Sequence, residues 1–187
     1  EDIVNVTDLY STKGFAYAEA NPVTKIDDQT RMVEISIDID RGKKVYVGQI
    51  NMLGNIKTKD NVIRREFRLR EGEVFDGSKL KRSKQRINNL NYFEDVKIET
   101  QRGESPEFID ILTTVTEKPT GTFTVGAGFS SVENLIFTSS IAQNNLFGNG
   151  HRVNLTASLS SIRTNFNLSF TEPRLFDSNI SAGFDAF

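Results

Sequence analysis

The sequence predicts α+β modules of β-α-α-β-β order, followed by an antiparallel sheet with the pattern of a partial transmembrane β-barrel. Two observations support this fold class. Helical and extended patterns alternate through residues 1–120, whereas apolar and small polar side chains alternate in strict two-residue steps through much of 121–187. The charge density also falls, since 41 of the first 120 residues are charged but only 7 of the last 67. We therefore expect the two regions to face different solvents.

The fall in charge places a domain boundary at 118–121, where a proline and a glycine interrupt the regular patterns. Before it, one complete series of strands and helices can be followed. The first residues of the chain have the pattern of the second half of such a series: the end of a helix, a glycine and two strands. We therefore predict a partial module over 1–43, a complete module over 44–120 and a sheet over 121–187.

The complete module is predicted to begin with a strand over 45–53 and a short helix. Thr58 is the predicted N-cap of this helix, because a threonine hydroxyl can accept a hydrogen bond from a free N–H at a helix start. Val62, Ile63 and Phe67 would then form its apolar face.

A second helix and two strands are predicted to complete the module. Ser78 is the expected N-cap of the helix, and Ile87 belongs to its apolar face. Asn91 follows the helix and suits the left-handed conformation of a C-terminal cap. The strands are expected over 93–99 and 108–115.

Five segments of the last region have strand patterns, and turn residues such as Asn149-Gly150 separate them. Four alternate strictly, and the fifth (135–141) is apolar on one face and mixed on the other. The segments are 123–130, 135–141, 153–160, 166–170 and 180–185. A soluble β-sandwich is the alternative, because its strands also alternate. The polar face is almost entirely Ser, Thr, Asn and Gly, which favours the mild polar lumen of a membrane barrel.

The composition argues against several kinds of site. The formal net charge is -2, so no large basic surface for nucleic acid is expected. Cysteine is absent, His151 is the single histidine, and no acidic cluster has metal-ligand spacing. Gly126-Ala127-Gly128 lacks the third glycine and the helix of a dinucleotide loop. We therefore predict no metal, no cofactor and no enzymatic activity.

Several motifs in a fixed order carry a family resemblance. They are Val62-Ile63-Arg64-Arg65-Glu66-Phe67, Glu71-Gly72, Leu90-Asn91-Tyr92-Phe93, Glu117-Lys118-Pro119-Thr120-Gly121, Val125-Gly126-Ala127-Gly128-Phe129, Asn145-Leu146-Phe147-Gly148-Asn149-Gly150 and Ser169-Phe170-Thr171-Glu172-Pro173. The first three resemble the last POTRA module of the BamA-type outer-membrane insertases. The others resemble the passage of these proteins into their first barrel strands and turns. Asn91 departs from the glycine that the family usually has there.

The resemblance implies an insertase that binds nascent outer-membrane β-barrel proteins and folds them into the bacterial outer membrane. It implies POTRA modules in the periplasm, a barrel in contact with outer-membrane lipid, and accessory lipoproteins as further partners. Two alternatives are a related POTRA-barrel transporter for secretion and a soluble periplasmic binding module. Single-chain bacterial barrels have about eight strands or more, so the five predicted strands would form only part of one.

The resemblance also implies two sets of site residues. The first barrel strand would open from its neighbour and pair with a client strand through Thr122, Phe123, Thr124, Val125, Gly126, Ala127, Gly128, Phe129 and Ser130. Its two glycines either relieve crowding or permit a bend, or they weaken the pairing of this strand. Arg64, Arg65 and Glu66 would contact an accessory lipoprotein, although such a run is also typical of the solvated face of a helix.

Overall fold

The structure is a computed structural model that describes residues 2–27 and 32–187. Its elements in chain order are α1 (Asp2–Ser11), β1 (Glu19–Asp27), β2 (Met32–Asp40), β3 (Tyr46–Leu53), α2 (Asp60–Arg64), α3 (Gly77–Asn89), β4 (Phe93–Arg102), β5 (Phe108–Glu117), β6 (Gly121–Ser130), β7 (Asn134–Leu146), β8 (His151–Ser160), β9 (Thr164–Glu172), a 3-10 helix (Leu175–Asp177) and β10 (Ala182–Ala186). The order from β3 to β5 is the β-α-α-β-β series that the sequence predicts.

The described strands form three sheets. β1 and β2 form an antiparallel hairpin, and β3, β5 and β4 form a second sheet in that order. The third sheet is an antiparallel meander with the order β10, β9, β8, β7, β6. The five strands predicted for this last region are therefore present, and each pairs with its neighbour in the chain.

The apolar core of the second sheet forms around the parallel pair β3 and β5. Its buried members are Val45, Val47, Ile50, Leu69, Phe75, Ile109 and Ile111. The pairing register shifts between Val47 and Ile50, so both side chains are buried although they are three positions apart. Gly48 lies in this irregularity, where an added Cβ would collide with the Asp110 carboxylate.

The helix caps differ from those that the sequence predicts. Thr58 is not the cap of α2: Lys59 occupies that position and makes no side-chain capping bond. Ser78 is not the cap of α3 either, since it lies inside the helix and Asp76 accepts the Lys79 N–H at 3.0 Å. The predicted left-handed conformation of Asn91 is confirmed, with φ of 60°.

The described residues divide into two compact units. One contains the residues up to Leu53, together with Glu66–Asn89 and Val96–Thr114. The other contains Gly54–Arg65, Leu90–Asp95 and Val115–Phe187. The second unit therefore combines the five-stranded sheet with two short segments from earlier in the chain. No described helix is long and apolar enough to cross a membrane.

Candidate functional site

Strand β6 contains every residue of the predicted client-pairing site, from Thr122 to Ser130. It lies at one end of the five-stranded sheet, and β7 is its only partner among the described strands. Its residues are exposed except for the half-buried Ser130, and Phe129 is exposed by 78%. An added Cβ on Gly126 or Gly128 would meet no atom within 4 Å, so in this chain the glycines do not relieve crowding. The strand thus presents an edge with glycine at two positions where side chains would fit.

The sheet has one apolar and one polar face. Register places Phe123 opposite Ile141, then Leu155, then Leu168, in a row of apolar side chains across four strands. The next strand continues this face, because the rings of Phe170 and Phe184 stack at 5.7 Å. The four large side chains of this row are exposed, so none of the described residues covers this part of the apolar face.

On the opposite face, short polar side chains bond to each other. The Ser140 hydroxyl lies 3.2 Å from that of Thr156 and donates to the Asn154 Oδ1 at 3.1 Å. Gly126 and Gly128 lie on this same polar face, because they alternate with Val125 and Phe129. The sheet therefore has the two-sided character that the sequence predicts.

A tight turn connects β7 to β8 and packs against the segment before α2, within the same compact unit. The Lys59 N–H donates to the Gly148 carbonyl oxygen at 3.0 Å. Gly148 has φ of +74°, and an added Cβ would collide with the Lys57 carbonyl oxygen. The approach of the two backbones therefore requires glycine at this position.

Asn145 at the start of this turn joins the two segments with its side-chain amide. Its Nδ2 donates to the Thr58 Oγ1 at 2.8 Å, and its Oδ1 accepts the Gly150 N–H at 2.8 Å. The side chain is buried, so both bonds satisfy groups that water cannot reach. The Tyr92 hydroxyl adds a third bond by donating to the Gly150 carbonyl at 3.3 Å.

Glu117, at the end of β5, holds the same segment from its other side. Its carboxylate accepts the Thr58 N–H at 2.6 Å and the Lys57 N–H at 3.0 Å. Burial alone would raise the pKa of Glu117, but bonds from the Thr58 hydroxyl and from the two main-chain N–H groups outweigh it. Together with the charge of Lys57, they lower the pKa below its ordinary value. We call Lys57, Thr58, Glu117, Asn145 and Gly148 the turn cluster.

The residues predicted to contact a lipoprotein do not form one exposed surface. Arg64 is exposed and pairs with Asp60 of the same helix at 3.1 Å. The side chain of Arg65 is only 9% exposed and donates to the Asp177 carboxylate at 3.2 Å. Arg65 therefore does not lie on a solvated helix face, and only Arg64 of the two is accessible to a partner.

Glu66 is also withdrawn from solvent, with an exposed fraction of 5%. It accepts two hydrogen bonds from the Arg86 guanidinium, at 2.6 and 2.9 Å. Both N–H groups donate to the same oxygen, Oε2, and hydrogen bonds between charged groups are stronger than neutral ones, so Glu66 has an internal structural role. The interpretation of Glu66 as a solvated surface charge is therefore wrong.

Apart from the N-cap predicted for Thr58, sequence reasoning assigned no individual role to the members of the turn cluster, although several belong to the quoted family motifs. An asparagine followed by two glycines within a tight turn is one available signal, because buried asparagine in a turn commonly bonds to backbone. No pattern in the sequence indicates that Glu117 faces Thr58. The described residues contain no group of three His, Cys, Asp or Glu side chains that could hold a metal ion.

Two family models match parts of the chain. Residues 45–118 match the POTRA family, described as a surface antigen variable number repeat. Residues 145–187 match the Omp85 superfamily domain. The two matches follow each other in the order that the motifs predict.

Relatives with known names match almost the whole chain. An outer membrane protein assembly factor BamA from Nitratidesulfovibrio vulgaris is 35% identical over 97% of this chain and 23% of its own length. The corresponding BamA of Neisseria meningitidis is 36% identical over 93% of this chain and 22% of its own. The chain thus spans about a quarter of the curated relatives that it matches.

Among solved structures, a BamA from Haemophilus ducreyi that lacks POTRA domains 1–3 superposes with a TM-score of 0.88. It is 28% identical, and the match covers 98% of this chain and 35% of that one. CdiB from Escherichia coli shares the fold over 90% of this chain at 18% identity, with a TM-score of 0.55. The chain therefore belongs to the Omp85 superfamily as a BamA-type member, in which a POTRA module is followed by Omp85 domain sequence.

Proposed function

We propose that this chain is the part of an outer-membrane protein insertase in which β6 pairs with an incoming client strand. The edge position of β6 is the observation that carries the proposal, because an edge strand offers a row of free N–H and C=O groups. Added strands satisfy these groups without a cofactor or a chemical step. The role is therefore binding and templating, and not enzymatic catalysis.

The two faces of the sheet support a place in the wall of a partial transmembrane barrel. Lipid would cover the apolar face, and the polar face would line the lumen. Barrel closure drives insertion, because a bilayer leaves unpaired backbone groups unsatisfied. The partners proposed are nascent outer-membrane β-barrel proteins, outer-membrane lipid and accessory lipoproteins. The protein would lie in the outer membrane with its POTRA modules in the periplasm.

Disulfide crosslinking tests the pairing of β6 with a client. In a full-length, cysteine-free protein containing this chain, single cysteines replace Thr122, Thr124, Gly126, Gly128 or Ser130. Each is combined with single cysteines along the last strand of a client. Strand pairing has a fixed register, so we expect each β6 position to crosslink to one client position. As the cysteine moves along β6, the linked client position should move along the client strand in one constant direction, whether the pairing is antiparallel or parallel.

Two interior positions provide matched controls for this experiment. Register places Thr156 two strands away from Thr124 at the same level, and Ser169 at the level of Thr122 on the same polar face. Cysteines there should remain unlinked. Equal crosslinking at the interior positions, or no crosslinking along β6, would show that β6 is only part of the wall.

The lipoprotein contact can be tested at Arg64. Arg64→Glu should weaken binding of the lipoprotein by more than the roughly 0.5 kcal/mol of an ordinary surface change, while the melting temperature changes little. Glu66→Lys is the matched contrast: it places a cation against Arg86 and should lower the melting temperature instead. Unchanged lipoprotein affinity of Arg64→Glu in a binding titration would leave Arg64 as a solvated charge.

A further inference from the structure

Three large apolar side chains are almost fully exposed near one end of the five-stranded sheet. Ile56 is 92% exposed, Phe147 is 83% exposed and Phe176 is 94% exposed. Phe147 belongs to the turn after β7, and Phe176 to the connection after β9. Single exposed apolar residues are ordinary, but three such residues at one end of a sheet indicate a surrounding other than water.

Several contacts bring these residues to the same end. The turn that holds Phe147 lies against the segment of Ile56 through the bond from Lys59 to Gly148. His151, the first residue of β8 after this turn, contacts Glu172 at the end of β9. Glu172 lies directly before the connection that holds Phe176. This is also the end at which Gly121 enters the sheet opposite Gln143.

The backbone at the two phenylalanines is strained. Both have φ of 52°, in the left-handed region that bulky residues rarely adopt. Such a conformation is unfavourable for any residue that carries a Cβ, unlike glycine. Here the strain orients an aromatic ring into solvent, where the ring gains nothing. A non-aqueous environment for both rings would account for phenylalanine at these positions.

The charges beside the apolar residues are complementary to an anionic surface. Lys57 and Lys59 follow Ile56 in the same loop, and both are exposed. The nearby carboxylates are already engaged: Asp60 by Arg64, Asp177 by Arg65, and Glu117 by main-chain N–H groups. Lys57 also interacts with the charge of Glu117. The four cations Lys57, Lys59, Arg64 and Arg65 outnumber these three acids, so a net positive charge remains.

We infer that Ile56, Phe147 and Phe176 insert into the headgroup layer of a phospholipid bilayer, while Lys57 and Lys59 bind the phosphates of its anionic lipids. Apolar side chains beside lysine are the usual chemistry of interfacial anchoring. The inference rests on the proposed function, because it requires the apolar face of the sheet to lie in the same bilayer. The anchor would fix how deep the turn end of the sheet sits.

The chain contains no tryptophan, so single tryptophans can report depth in the membrane. In a full-length protein whose other tryptophans are replaced by phenylalanine, Phe147→Trp and Phe176→Trp are compared with Leu155→Trp, in the middle of β8. The vesicles contain phosphatidylcholine and phosphatidylglycerol, with bromine on the acyl chains near the headgroup or near the chain end. We expect Trp fluorescence at 147 and 176 to be quenched at least about twofold more by the shallow bromine, and at 155 by the deep one.

The reference position separates the two hypotheses. Quenching at 155 by the deep bromine, with no quenching at 147 and 176 by either lipid, would overturn the anchor and leave the proposed function standing. Absence of quenching at 155 would instead contradict the membrane position of the sheet.

The lysines have their own measurement in the same vesicles. Quenching at 147 should rise with the fraction of phosphatidylglycerol, and this rise should disappear in the Lys57→Glu, Lys59→Glu double variant. Quenching that is independent of phosphatidylglycerol in the unaltered chain would overturn the phosphate-binding part of the inference.

Discussion

Gly148→Ala is expected to separate the turn after β7 from the segment before α2. The new methyl group would have to adopt φ of +74° and would occupy the space of the Lys57 carbonyl oxygen. Left-handed strain and overpacking together cost about 2–4 kcal/mol. The Lys59 amide, which donates to Gly148, should then lose about 30- to 700-fold of its protection in hydrogen exchange.

Gly126→Ala and Gly128→Ala are the matched controls, because they make the same chemical change in open space. Alanine is favoured over glycine in a strand by roughly 0.5–1 kcal/mol, so these variants should be unchanged or slightly more stable. A Lys59 amide that stays protected in Gly148→Ala would show that the turn accommodates the methyl group and that glycine is not required at this position.

Glu117→Gln is expected to have the second large effect on stability, and this effect depends on pH. A carboxamide keeps a single acceptor oxygen and directs an NH2 group toward the N–H donors of Lys57 and Thr58. The free energy of unfolding at neutral pH should fall by about 1–3 kcal/mol. Because folding lowers the pKa of Glu117, the ionised group stabilises the folded chain above its unfolded pKa of about 4.3.

That stabilisation is lost as the pH falls below the unfolded pKa and through the lowered folded pKa. Urea unfolding at a series of pH values should therefore show a steeper acid loss for the unaltered chain than for Glu117→Gln. Glu94→Gln, on the exposed surface of β4, is the control and should keep the steep acid loss. Parallel profiles for the unaltered chain and Glu117→Gln would contradict the role of the ionised carboxylate.

Elements with strong local signals could be predicted from the sequence. Asn149-Gly150 marks a hairpin, and Asn91 takes the left-handed conformation that its position after α3 suggests. The strands could be predicted because apolar and polar residues alternate along them with a period of two residues. The N-caps were predicted wrongly, since serine, threonine and aspartate can all cap a helix. Thr58 does not cap α2, and its N–H and hydroxyl bond to Glu117 and Asn145, which lie 59 and 87 residues away.

The candidate site also has a part that could be predicted from the sequence and a part that could not. An edge position for β6 follows from its place as the first strand of the sheet, and its residues could be named in advance. The environment of Arg65 and Glu66 could not, because charged side chains in a helical pattern indicate solvent unless their partners are known. Their partners, Asp177 and Arg86, lie 112 and 20 residues further along the chain.

The bonds from Thr58 to Asn145, from Tyr92 to Gly150 and from Arg65 to Asp177 also bear on the order in which the chain folds. They join residues 87, 58 and 112 positions apart, so each closes a long loop of the chain. A chain made from its N-terminus has every strand of the POTRA sheet before it has any of these partners. The bonds of Thr58 and Tyr92 to the turn after β7 can therefore form only after the β7–β8 hairpin. Because contacts of such high sequence separation form late, we expect this side of the POTRA module to become fully ordered after that hairpin.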